Sequence, residues 1–178
     1  VTSEGIVVAT LAGTVHCLAA GDGHELWRVT TGAPIYAPPR LGPSTILVGD
    51  DAGKLHSLSP DGKTVLTHDL EGLIRGSVGI AGEVVVAGDS SGLLVRINPR
   101  DMTELWRARL PGPIATEPAV AGASIWCGAG RSLVAVNTTS GRIIRRLRAE
   151  AEITDVLFAF GHLYWATADG RVRVIDAP

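Results

Sequence analysis

An excess of positive charge is the first thing this sequence lacks. Its 178 residues carry 16 basic and 18 acidic side chains, a net charge of −2. Nucleic-acid binders usually present a basic face, so that class is set aside. Lysine is scarcer still: Lys54 and Lys63 are the only two, and the other basic residues are arginine. That bias points to a GC-rich source genome and is silent on mechanism. There are two cysteines, Cys17 and Cys127. They form no CxxC pair and have no metal-ligand spacing, so a reduced, buried pair is expected. No apolar run approaches the 18 or so residues that a membrane-spanning helix needs. No signal-peptide pattern is visible. The first residue is Val1 rather than Met, which predicts a chain processed or excised from something longer. G-x-S-x-G, H-E-x-x-H and P-loop patterns are all missing, so no common catalytic signature is available. No segment holds a helical period of apolar residues.

What remains is apolar and heavily punctuated. The chain is 46% hydrophobic and 19% charged, a globular balance, and long enough for one domain over 1–178 with a sizeable core. Its 22 glycines and 10 prolines are scattered, as many short elements joined by tight turns require.

The scatter has a period. Gly13, Gly53, Gly92 and Gly170 are separated by 40, 39 and 78 residues, and the missing member falls at Gly130-Arg131. Repeats of 39–40 residues occupy approximately 1–33, 34–72, 73–112, 113–151 and 152–178, about four and a half units. Each unit offers an apolar run ("TILVGD", "EVVVAG"), a second strand after a turn ("KLHSLS", "LLVRIN") and a third ("KTVLTH", "TELWRA"). A Pro/Gly link then leads to a fourth ("LIRGSVGI", "PIATEPAV"). Short strands with regular turn signals argue for an all-β protein. Four strands in about 40 residues make the blade of a β-propeller. Small residues recur late in the first run, at Ala9, Gly49, Gly88, Cys127 and Ala166, where neighbouring backbones approach closely. Aliphatics in the second strand (Val15, Leu55, Leu94, Leu133 and Val172, then Leu18, Leu58, Ile97, Val136 and Ile175) should point to opposite faces and make the two blade-to-blade contacts.

These units resemble the quinoprotein-like (PQQ-like) β-propeller repeat: a strand ending in Gly, a Gly turn, a second strand, a turn, then Glu-Leu-Trp. "GTVHCLAAGDGHELW" (Gly13 to Trp27) and "GLLVRINPRDMTELW" (Gly92 to Trp106) carry the likeness. The other two complete units depart from it, with Thr67 and Arg145 in the place of the Trp. The resemblance implies dehydrogenases, outer-membrane assembly lipoproteins or bacterial sensor domains, and by family habit a cell-envelope or extracellular location. A quinone-dependent dehydrogenase of this family would need adjacent cysteines, a calcium site and a catalytic Asp, and no such cluster stands in the sequence, so no cofactor is expected. The strands divide three, four, four, four and three, with the first unit starting at its second strand and the last stopping after its third. The two ends overlap rather than complement each other. The chain is therefore expected to be part of a larger propeller, completed by further blades or by another chain. A free-standing ring of four or five blades is the alternative.

Candidate site residues each carry two readings. Trp27 and Trp106 lie on outer strands, where the family uses the Trp for docking between blades; an aromatic binding platform is the other reading. His16 and His56 share one position in adjacent units, as packing residues or a metal pair without further ligands. Asp50, Asp51, Asp89 and Asp169 fall in turns, either as an acidic rim for a cation or basic partner, or as turn chemistry. The run "RIIRRLRAEAE" places Arg142, Arg145, Arg146 and Arg148 on an outer strand. Charge there guards an edge or forms a docking patch for an acidic partner. The links "GAPIYAPP" and "PGPIATEP" would lie on the binding face. Together these predict a non-catalytic propeller that binds a protein or senses a ligand; a fragment of a quinone-dependent dehydrogenase is the alternative.

Overall fold

The computed structural model describes residues 5–42 and 44–176, and among them there are strands and turns but no helix. The strands are β1 (Gly5–Ala9), β2 (Thr14–Ala19), β3 (Glu25–Thr30), β4 (Arg40–Leu41), β5 (Ile46–Gly49), β6 (Lys54–Leu58), β7 (Val65–Asp69), β8 (Gly79–Ala81) and β9 (Val84–Gly88). They continue as β10 (Leu93–Ile97), β11 (Glu104–Arg109), β12 (Ala119–Ala121), β13 (Ser124–Ala129), β14 (Ser132–Asn137), β15 (Ile143–Arg148), β16 (Ile153–Ala159), β17 (His162–Thr167) and β18 (Val172–Asp176). They form five antiparallel meanders: β1-β2-β3, β4-β5-β6-β7, β8-β9-β10-β11, β12-β13-β14-β15 and β16-β17-β18. These are blades 1 to 5, in the expected division of strands. Among the described residues blade 1 has no innermost strand and blade 5 no outermost one.

Period-2 alternation turns each blade into a two-faced layer. Leu55 and Leu58, both fully buried, leave β6 in opposite directions. Leu58 joins Val15, Ile46 and Val48 between blades 1 and 2. Leu55 joins Leu47, Val85 and Ile97 between blades 2 and 3. Leu94 and Val136 meet between blades 3 and 4. Leu133, Trp126, Leu163 and Trp165 meet between blades 4 and 5. Among the described residues the core is thus four seams, one for each pair of consecutive blades.

The links between blades are clamped by backbone hydrogen bonds from both sides. Ile74 N donates to Asp50 O (3.0 Å) in the blade behind, while Leu73 O accepts from Ser90 N (2.9 Å) in the blade ahead. The same pair recurs at Pro113/Ile114 and at Glu152/Ile153. The isoleucine then drops onto a glycine at the end of the preceding second strand. A Cβ added to Gly88 would stand 2.4 Å from Ile114 Cγ2, and one added to Gly49 would stand 2.2 Å from Ile74 Cγ2. In blade 4 this glycine is Gly128, where an added Cβ would stand 2.7 Å from Ile153 Cγ2. Cys127, the expected small residue there, sits one place earlier. The blade 4 hairpin is a residue shorter, pairing Ala129 with Ser132, so Gly128 lies opposite Leu133 as Gly88 lies opposite Leu94.

Both end faces are open. Ile6 and Val8 of blade 1 are 43% and 38% exposed, although their counterparts Ile46 and Val48 are buried. On blade 5, Leu157, Val172 and Val174 are exposed, whereas Leu133 and Ala135, at the positions of Val172 and Val174, are buried.

Candidate partner-binding surface

The turn aspartates do not form a common rim. Asp50 and Asp89 are fully buried. Asp50 Oδ1 accepts the Ala52 and Lys54 amides at 2.9 Å, and Oδ2 lies 2.7 Å from His56 Nε2. Asp89 Oδ1 accepts Ser91 N (2.8 Å), Ser91 Oγ (2.6 Å) and Leu93 N (3.0 Å). Its Oδ2 reaches back to Glu71 N (3.1 Å) and Gly72 N (2.7 Å) in the link from blade 2. A buried carboxylate must be satisfied by donors or a cation, and backbone amides fill that role here. The rim expectation is corrected for these two: no partner can reach them. Asp51 is held bidentately by Arg75 (3.0 and 2.9 Å), whose guanidinium also lies 4.9 Å from the Tyr36 ring centre. Asp169 accepts Thr167 Oγ1 (2.5 Å) and sits 3.4 Å from Arg171 Nε. Each of the four already has its donors or counter-charge.

His16 and His56 are likewise engaged separately, with Glu25 Oε2 and Asp50 Oδ2, each at 2.7 Å. Among the described residues no three His, Cys, Asp or Glu converge on a metal site. Cys17 is on β2 and Cys127 on β13, three blades apart, and both are buried. The adjacent-cysteine and calcium arrangement of a quinone site does not fit this donor set.

Trp27 and Trp106 dock forward onto the next blade. Trp27 Nε1 donates to Pro60 O (3.0 Å) and Trp106 Nε1 to Thr138 O (2.9 Å). Each ring lies against a left-handed glycine, Gly62 (φ 71°) or Gly141 (φ 69°), where an added Cβ would stand 2.7 Å from Trp Cδ2. Register places the blade 2 counterpart at Leu66, opposite Ser57 as Trp27 lies opposite Cys17, and not at Thr67. Blades 1, 3 and 4 carry a bulge just before this position and β7 does not, which shifts a count made from the turn by one. The spacing 27, 66, 106 and 145 (39, 40 and 39 residues) carried the signal. Where the ring is missing, blade 3 replaces the glycine with Met102, which keeps the left-handed backbone (φ 60°) and is buried in the seam between blades 2 and 3.

The first strands of blades 2 to 5 face a recess of about 400 Å³ lined by Arg40, Ile80, Glu117, Asp155 and Leu157. Arg40 reaches from blade 2 to Glu117 of blade 4, Nη2 to Oε1 at 2.8 Å. Blades 3 and 4 approach closely beside this pair: a Cβ on Gly79 would stand 2.2 Å from Pro118 O. Burial raises the Glu117 carboxyl above the ordinary glutamate value, Arg40 pulls it back and Asp155 pushes it further up. A raised folded value means that ionising Glu117 disfavours the fold. Its contribution to stability is therefore greatest at acid pH and declines as pH rises through the glutamate range. Carboxyl carbon NMR should show Glu117 titrating above an ordinary glutamate, lower in Asp155→Asn and higher in Arg40→Met. A midpoint below the ordinary value would mean that the ion pair outweighs burial.

The arginines of β15, with Arg142 just before it, stand apart from all of this. Arg142, Arg145, Arg146 and Arg148 have no carboxylate within ion-pair distance among the described residues. Arg145 stacks over the Trp126 ring at 5.9 Å, and Arg146 Nε donates to Ser132 Oγ at 3.2 Å. Beside them Ile143 and Ile144 are 49% and 56% exposed. Charge makes the arginines stand out in the sequence, whereas the exposure of these two isoleucines, with Ile143 opposite Val136 beside a bulge, is a tertiary fact.

Comparison with solved structures places the fold among propellers. Over 99% of the chain it matches 56% of BamB from Moraxella catarrhalis, with 18% identity and a TM-score of 0.79. It matches 57% of the computationally designed Ika8 protein (99% of this chain, 19% identity, TM-score 0.86). It also matches 55% of Saccharomyces cerevisiae Sqt1 (97% of this chain, 13% identity, TM-score 0.84). The chain thus spans a little over half the length of each. No curated protein sequence shows significant similarity to it. The family model described as outer membrane protein assembly factor BamB matches residues 11–118 and again 90–178. With PQQ-type repeats over that whole span, the chain belongs to this family of β-propellers.

Proposed function

We propose that the chain is part of a non-catalytic propeller scaffold that holds a protein partner on its outer edge, its ring completed by further blades. The observation that carries this reading is the uncompensated arginine set of β15, on a molecule whose other charged turns are internally satisfied. The match to a family model described as an outer membrane protein assembly factor supports a scaffold rather than an enzyme. The open end faces and the half-length match support further blades. Charge reversal at Arg145 and Arg146 tests the site. The double variant should melt close to the parent protein, because both side chains are exposed and lose only the contact of Arg145 with Trp126 and the bond of Arg146 to Ser132. It should lose partners that the parent retains when both are used as bait in extracts of the source cell. Equal retention by both proteins would reduce the patch to a solvated edge.

A further inference from the structure

The geometry of β15 points to a particular kind of occupant. We infer that β15 accepts an acidic, extended segment of another protein as an added strand, with carboxylates beside Arg145, Arg146 and Arg148 and an apolar end beside Ile143 and Ile144. This rests on the scaffold reading above and names its partner's chemistry. As the last strand of its sheet, β15 leaves one row of backbone donors and acceptors facing outward. The bulge lies at Ile143–Arg145, so Arg145 to Arg148 run in regular register with β14.

Every outer strand shares that open row; charge sets β15 apart. On β3, Glu25 lies 3.5 Å from Arg28. On β7, Asp69 holds Lys54 at 2.6 Å. On β11, Glu104 holds Arg107 at 2.7 Å and Arg109 bonds Glu71. Those edges are neutralised within the chain, by residues of the same strand on β3 and at Arg107, and by Lys54 of β6 and Glu71 of the preceding link at Asp69 and Arg109. β15 carries no carboxylate. Its arginines flank the edge from both sides: Arg146 and Arg148 lie opposite Val134 and Ser132, while Arg145 lies opposite Ala135. An added strand with carboxylates on both its faces would therefore meet a guanidinium on each, in the fork geometry that suits bidentate pairing. The same single-sign edge repels a second copy of itself, which gives the surface selectivity as well as affinity. At the other end, two exposed isoleucines offer apolar cover to a β-branched or aromatic residue, which fixes the orientation of the incoming segment.

The test uses the full chain, isotope-labelled for NMR, and a capped peptide of about eight residues with two valines at one end and three glutamates at the other. Binding is expected to protect the outward amides of Arg145–Arg148 from exchange. It should weaken at least tenfold on raising salt from low to half-molar, and at least tenfold in the Arg145→Glu/Arg148→Glu variant. Three control probes decide the mode: the same peptide N-methylated on alternate residues, its lysine counterpart, and a single-stranded oligonucleotide. All three should bind at least tenfold more weakly than the parent peptide. If the N-methylated peptide binds as well as its parent, strand addition is wrong while the arginine docking patch stands. Equal binding of the lysine peptide or the oligonucleotide overturns the acidic-segment assignment. If no acidic peptide binds although a captured partner still depends on Arg145, this inference fails and the scaffold reading survives.

Discussion

Replacing Asp89 with alanine is expected to cost about 4 kcal/mol of stability, because it strips a buried carboxylate from five donors at once. Two of those donors belong to the link from blade 2 and three to the hairpin of blade 3. The loss therefore loosens the joint between blades, not one turn alone. Asp89→Asn keeps the shape but turns an amide donor toward one of these donor groups, and should lie between the variant and the parent. Asp51→Ala, which removes only the exposed pair with Arg75, should cost no more than about 1 kcal/mol. Urea denaturation of the three variants and the parent gives the ranking. If Asp89→Ala unfolds at the parent midpoint, the carboxylate is not the keystone of this joint and its burial needs another explanation.

The second large effect is expected at the docking tryptophans. Trp106→Ala should cost about 3 kcal/mol, combining the lost ring packing on Gly141 with the lost bond to Thr138. The seam between blades 2 and 3 provides the reciprocal experiment, since Leu66 and Met102 stand where Trp and Gly stand between blades 1 and 2 and between blades 3 and 4. Leu66→Trp alone should drive the new ring into Met102 and destabilise. Met102→Gly alone should empty part of the seam and destabilise as well. Together they should recover at least about 1 kcal/mol relative to the sum of the single changes. Strict additivity would show that ring and glycine are independent choices and not a matched pair.

Much of this architecture was legible along the chain. The 39–40-residue spacing, the turn glycines and the alternation of aliphatics were enough to count strands and to assign Leu55 and Leu58 to opposite seams, because side-chain direction in a strand depends only on parity. Legibility failed wherever one residue of register mattered. Cys127 for Gly128 and Thr67 for Leu66 are single-step slips. Their causes, a shortened hairpin and an absent bulge, change which residues pair without changing composition.

The aspartates mark the boundary most clearly. Asp50, Asp51, Asp89 and Asp169 are the same residue type in the same kind of turn. Yet two are sealed by amides arriving from sequence positions up to 18 residues away, and two are on the surface. The sequence by itself determined the repeat, the blade and the arginine-rich outer strand, since these follow from local pattern and period. Tertiary structure alone decided which charges are answered. An ion pair or a buried amide depends on what the next blade brings to within 3 Å, and Arg142 and the three arginines of β15 meet nothing of opposite sign among the described residues.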